Sequence, residues 1–315
     1  MARSLANPPV FRLAEREGAR LTLASDDVAV VHIFVLEADI IRVFVLPDGA
    51  PVMPRTWAIA PGADDVATEG RDRFDTAGFA APDFTVEEAD ERLTVTTATL
   101  RLSVRLRGFF CRWEMATDAG WREIARDRPT QAYSFGWWDE PVRHHLVLKP
   151  GERFFGLGER SGAMDRAGRR LRLGNTDAMG YSAATSDPLY KHIPFYITLV
   201  GEPAAAFGLF YDTFADGVFD FGQELSNYHG RYRSFTAEAG DLDYYVIAGP
   251  AVGDVTRRFT WLTGRPALLP KWGLGYSGST MSYTDAPDAQ DQMAGFIEGC
   301  RTHDILCDSF HLSSG

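Results

Sequence analysis

The segment that most constrains the fold is 272–315. It runs WGLGYSGSTMSY, then DAPDAQDQMAGFIEGCRTHD, then ILCDSFHLSSG, and reads as a strand, a loop, a helix and a second strand. That order is the repeating unit of a parallel β/α fold. One and a half such units can neither close a barrel nor cover both faces of a parallel sheet. Residues 266–315 are therefore expected to be the start of a (β/α)8 barrel, and the 315 residues the front portion of a larger protein. On this expectation the groups that perform chemistry lie beyond Gly315, no catalytic residue is assigned within the chain, and the chain alone is inactive.

Residues 1–250 carry a different pattern. VVHIFVLEADIIRVFVLPDG (30–49) reads as two strands around Glu37-Ala38-Asp39, closed by a Pro-Asp-Gly turn. LTVTTATLRLSVRL (93–106) is a strong alternation, with Leu100, Leu102, Val104 and Leu106 on one face and Arg101, Ser103 and Arg105 on the other. A strand pair follows around Asp118-Ala119-Gly120, and further apolar strands lie at 151–159, 192–200, 205–212 and 241–249. Closely spaced strands and turns predict an antiparallel β-sandwich. AVGDVTRRFTWLTG (251–264) has Val252, Val255, Phe259 and Leu262 at helical spacing and is stopped by Gly264 and Pro266, which predicts a linker helix over 251–265. Between strands, GNTDAMGYSAATSDPLYK (174–191) is a long polar loop, of a length that is usually functional or disordered.

A net charge of −11 excludes a nucleic-acid groove, which needs clustered Lys and Arg. The one basic run, RAGRRLR (166–172), is expected to be a solvated hairpin. The opening residues show no apolar secretory core, and no apolar run is long enough to span a membrane. Cys111, Cys300 and Cys307 are sparse and odd in number, as free thiols of a reducing compartment are. Together these predict a cytoplasmic location.

Several chemistry-bearing motifs carry little. Gly156, Gly158 and Gly162 lack dinucleotide-loop spacing. Ser277 is not in a nucleophile elbow, because glycine follows it directly. Cys300, His303, Cys307 and His311 have metal-like spacing, but two residues four apart on one strand lie ~13 Å apart, too far to share an ion; no metal is assigned. The segments Ser277 to Tyr283 and Leu312 to Gly315 follow the two predicted barrel strands, where a barrel builds its active site.

Taken together, FFGLGE (154–159), NTD (175–177), LYKHIPF (189–195), PKWGLG (270–275) and HDI (303–305) make the chain resemble glycoside hydrolase family 31, the α-glucosidase and α-xylosidase group. The resemblance runs from about residue 20 to the end. It implies a galactose-mutarotase-type sandwich followed by a (β/α)8 barrel, retaining hydrolysis of α-linked carbohydrate by two carboxylates from later strands, and no cofactor. A homo-oligomer is left open. It also implies sugar-binding positions. Asp177 matches an aspartate of a loop over the barrel mouth, which either contacts sugar or caps its own loop. Met281 falls where many α-glucosidases have tryptophan, and Tyr283 matches a tyrosine. Ser313 stands where the family usually has an aspartate, and Ser314 follows it. A serine offers one neutral contact where a carboxylate accepts two charge-assisted bonds, at a cost of ~1.5–3 kcal/mol toward a sugar that needs them. A galactoside, xyloside or modified hexose thus becomes as reasonable a substrate as a glucoside.

Two other functions stay open on the residues. An aldose-epimerase-like sandwich needs a His and a Glu facing one sugar, and His144, His145 and Glu159 are available. A carbohydrate-binding module needs exposed aromatics, for which Trp137-Trp138 or Trp121 are candidates.

Overall fold

Antiparallel pairing organises the chain as far as Arg265. The computed structural model describes residues 8–63, 65–134, 141–202 and 204–313. They fall into two units, Met1–Arg265 and Pro266–Gly315.

The centre of the first unit is an eight-stranded sheet. In spatial order its strands are Phe11–Glu17, Arg20–Ser25, Val30–Glu37, Ile40–Leu46, Leu242–Gly249, Ala205–Tyr211, His192–Val200 and Arg153–Gly158. Every residue of Ile40–Leu46 is buried, which is why the strand reads as an almost unbroken apolar run. Ile41, Val43 and Val45 face one core; Ile40, Phe44 and Leu46 face another.

The first core lies between this sheet and two smaller ones, and is the interior of the expected sandwich. One has the order Gly120–Arg126, Phe110–Thr117, Leu100–Arg105, Arg92–Thr96, Thr85–Ala89; the other has Val142–Val147, Tyr232–Ala237, Gly217–Asp220, Arg170–Leu173. Trp113, Leu102, Phe219 and Phe235 project from them into it. The second core is covered by helix α1 (Val252–Thr263) and the segment around Ile59. Val255 and Leu262 are fully enclosed there, and Phe259 stacks on Phe195 with ring centroids 3.7 Å apart. The helix expected as a linker is thus a packed part of this unit, with Val252 at its exposed start. Gly264 ends it at φ 86°, a conformation that favours glycine.

Three expectations are corrected. The alternating stretch 93–106 is a hairpin, not one strand, because Thr97 turns the chain: its hydroxyl oxygen accepts from the amides of Thr99 and Leu100 at 3.1 and 2.9 Å. Leu100, Leu102 and Val104 are buried as expected, but Ser103 is also buried. The basic run is not a solvated hairpin. Arg170–Leu173 is a strand paired with Gly217–Asp220, and Arg166 is buried, donating to the carbonyls of Ser161 and Ala163.

In the second unit the strands Ser277–Ser279 and Ser309–His311 pair in parallel. Between them lie helices α2 (Met281–Thr284) and α3 (Ala289–Thr302). The expected strand–helix–strand order is present, with shorter strands. Lys271–Leu274 is a 3-10 turn instead of strand, closed by hydrogen bonds from Gly273 to Pro270 and Gly275 to Trp272. Gly278 admits the rings of Phe310 and Phe296, since a Cβ there would lie 2.9 and 3.1 Å from them.

Candidate functional site

The loop 174–191 is pinned at its base and open at its tip. Asp187 bridges its far end to the sandwich: Oδ1 accepts from Arg160 Nη1 at 2.8 Å and Oδ2 from the Arg172 amide at 2.8 Å. The Thr176 amide donates to Leu189 O at 3.1 Å, closing the neck, and Asn175 Oδ1 accepts from the His192 amide at 3.3 Å. Beyond the neck, Met179 and Tyr181 are exposed. Asp177 is exposed too, and its carboxylate accepts the Tyr190 phenol, which pushes that phenol up from its ordinary value. Asp177 therefore steadies its own loop while staying open to solvent.

Beside the neck is a cleft of ≈ 420 Å³ bordered by Asn175, His192, Asp212, Phe214 and Phe259. Burial lowers His192, keeping its ring neutral. Asp212 forms part of the floor, but it has no free oxygen. Oδ1 accepts from Thr56 Oγ1 at 2.9 Å and Oδ2 from Arg73 Nη1 at 2.9 Å. Burial pushes its carboxyl up, against the pull of Arg73. The same Arg73 Nη1 lies 2.6 Å from Asp243 Oδ2, so two carboxylates sit close together. Retaining hydrolysis uses such a pair, ~5–5.5 Å apart. These two are buried, paired with Arg42 and Arg73, and every one of their oxygens already accepts a hydrogen bond, so they are held as a structural group and not poised to attack a sugar. The cleft can hold a ligand; it cannot cleave one by that chemistry. His192, Asn175 and Asp212 were not singled out as site residues in the sequence. The first two lie in the quoted motifs, whereas Asp212 is marked only as the polar end of a strand.

In the second unit, helix α2, which carries Met281 and Tyr283, follows the first of the two parallel strands, and Ser313 follows the second. Thr280 caps the short helix by accepting the Ser282 amide at 3.3 Å. The Ser313 amide donates to Thr284 Oγ1 at 3.2 Å, tying the end of the second strand to that helix. Met281 is exposed, and Tyr283 lies against Phe310, 6.2 Å between centroids and nearly coplanar. Ser314 lies outside the described residues, as do Trp137 and Trp138.

The epimerase arrangement is not assembled. His144 is fully enclosed in the sandwich, with Nδ1 2.9 Å from Tyr211 Oη and Nε2 3.0 Å from Asp127 Oδ1. The rings of Tyr133 and Tyr244 stack on it, each 4.7 Å between centroids. His145 takes the opposite face of the same strand, and Glu159 pairs with Lys191 at 3.4 Å. Trp121 is no open platform either, since the Arg101 guanidinium lies 4.8 Å above its ring.

Residues 30–220 match the sequence profile described as glycosyl hydrolase 31 N-terminal galactose mutarotase-like domain. The chain belongs to this glycoside hydrolase family 31 domain family. Among curated relatives, alpha-glucosidase 2 of Bacillus thermoamyloliquefaciens is 28% identical over 92% of the chain, and alpha-xylosidase XylQ of Lactiplantibacillus pentosus is 29% identical over 73%. The chain spans 33% and 28% of their lengths. Among solved structures, the family 31 dextranase of Flavobacterium johnsoniae complexed with glucose superposes with a TM-score of 0.79 at 24% identity, over 99% of this chain and 34% of that one. A family 31 alpha-xylosidase from a soil metagenome, complexed with xylose, gives 0.65 at 14% identity, over 93% of this chain and 40% of that one. At these identities the likeness is one of fold. The family 31 resemblance and the galactose-mutarotase-like sandwich expected from the sequence are both borne out.

Proposed function

We propose that this chain is the amino-terminal portion of a retaining α-glycoside hydrolase that acts on O-glycosidic bonds of α-linked sugars. In this reading Pro266–Gly315 opens a (β/α)8 barrel, and the nucleophile and acid are carboxylates on later strands. The chain's own part is to grip the sugar through Asp177, Met281, Tyr283, Ser313 and Ser314. The observation that carries the reading is that helix α2, with Met281 and Tyr283, and Ser313 follow the carboxyl ends of two parallel strands, where α/β folds place ligands, and are joined by the Ser313–Thr284 hydrogen bond. Apolar residues left open on that unit, Leu268 and Leu306 among them, support further chain packing against it. Ser313 in place of a carboxylate favours a sugar other than plain glucose.

The test uses the protein expressed from its complete reading frame with 4-nitrophenyl α-glucoside, α-xyloside and α-galactoside. The expected result is hydrolysis of at least one, with the first product seen by NMR as the α-anomer. Ser313→Asp should shift the ratio of kcat/KM values toward the glucoside by at least tenfold. An inverted first product, or no hydrolysis of any α-glycoside, would overturn the reading.

A further inference from the structure

The solvent face of the four-stranded sheet carries a cleft that the reading above leaves unused. Its volume is ≈ 320 Å³, at the low end of the ~300–1,000 Å³ common for small-ligand pockets. The strand registers make its wall a regular array. His145 is opposite Ser234, Ser234 opposite Asp220, and Asp220 opposite Arg170, so one row of four polar side chains crosses all four strands. Two residues along, Arg143 is opposite Thr236 on the same face. With strands ~4.8 Å apart, the row spans about 14 Å. The alternate residues Leu146, Phe235, Phe219 and Leu171 fill the sandwich core, which fixes the outward set.

Part of this wall lacks partners. Ser234 lines the cleft, and its hydroxyl makes no hydrogen bond among the described residues. His145 Nδ1 is buried and also lacks a partner. Buried polar groups normally have one, because leaving them bare costs ~1–3 kcal/mol. Burial lowers His145 to about 3, so near neutral pH its ring is an uncharged donor and acceptor. Asp220 has a different task. Its Oδ1 accepts the amides of Gly222, Gln223 and Glu224 at 2.9, 2.8 and 3.2 Å, holding the loop that brings Glu224 to the edge of the cleft.

The charges around the cleft cancel: Arg143 and Arg170 against Asp220 and Glu224. An anion would meet the two carboxylates and a cation the two guanidinium groups. A neutral ligand that donates and accepts at several points suits this wall, and hydroxyls on a ring do both. We propose that this face is a second binding site, for an uncharged polyhydroxyl ligand the size of a glycosyl unit, with Ser234 and His145 as its buried contacts and Arg170 at its rim. The site shares no residue with those of the proposed function and does not depend on them.

Saturation-transfer NMR on the 315-residue chain, with maltose and isomaltose as probes and inorganic phosphate as an anionic competitor, tests this. The expected result is transfer to at least one sugar, unaffected by phosphate. Ser234→Val should raise Kd tenfold or more without lowering Tm. Arg170→Ala, at an exposed edge position, should weaken binding several-fold and serves as the readout if Ser234→Val fails to fold. Asp177→Asn should leave this binding unchanged. The proposal is overturned if neither sugar receives transfer or if phosphate displaces the sugar. It is overturned equally if affinity falls in Asp177→Asn but not in the two sheet variants, in which case the sugar occupies the proposed hydrolase site instead.

Discussion

Asp243 receives both prongs of the Arg42 guanidinium, Nε at 2.7 Å and Nη2 at 2.6 Å, within the second core of the sandwich. Arg73 completes the group by bridging Asp243 to Asp212. Two positive and two negative side chains are thereby withdrawn from water together, and each compensates the others' desolvation.

Removing Asp243 leaves Arg42 charged and buried without its carboxylate partner, while Arg73 keeps only Asp212. Asp243→Ala is expected to cost about 3–5 kcal/mol of stability, read as a shift in the urea midpoint at unchanged slope. A loss under about 1 kcal/mol would mean that the guanidinium groups reach water and the group is not sealed.

Gly208 faces Val255 and Phe195, and a Cβ there would stand 2.7 Å from a carbon of each. Gly208→Ala should lift helix α1 from the sheet and destabilise by about 1–3 kcal/mol. Val255→Ala, made in the same chain, should recover part of that loss, so a double-mutant cycle gives a coupling of opposite sign to the single costs. Strictly additive effects would show that the helix does not press on this strand.

Stability should fall as pH drops below about 6.5. Burial lowers His32 from the usual 6.5 to about 4 and His145 to about 3. In the window between those values the unfolded chain binds protons that the native chain refuses, so acid favours unfolding; above 6.5 both states are neutral and the effect is complete. Urea midpoints across pH 4–7 should show this slope, and it should flatten in the His32→Gln, His145→Gln double variant. An unchanged slope in that variant would assign the acid sensitivity to carboxylates.

The Tyr190 phenol is raised chiefly by its hydrogen bond to Asp177. Asp177→Asn should let it ionise at lower pH, closer to an ordinary tyrosine, in a difference absorbance titration against wild type. Superimposable curves would mean that the loop does not hold this contact in solution.

The strands were legible wherever one face or both faces are buried, because alternation or an apolar run records that directly. Thr97 makes the turn within 93–106 by hydrogen bonding, and its trace in the sequence is a change of phase, with apolar residues at 93 and 95 but then at 100, 102, 104 and 106. Arg42 was visible as a charge inside IIRVFVL, and Asp243 as one inside DLDYYVIAG, but their pairing joins residues 201 positions apart and no local pattern encodes it. At the candidate site, the loop holding Asp177 was legible from its polar composition and length. The short helix that carries Met281 and Tyr283 was not: it is four residues long and rests on a single Thr280 cap. The unpartnered Ser234 could not be found from sequence either, because its meaning comes from the three strands registered beside it.

The packing of helix α1 also sets where this chain can be divided. Its apolar side closes a core whose other residues, Phe195, Phe210 and Ile247 among them, come from the eight-stranded sheet except for Ile59. A polypeptide cut at residue 250 would keep every strand of the sandwich yet bare that surface to water. One cut after Arg265 would not. The cooperative unit of folding therefore ends a full helix later than the last strand.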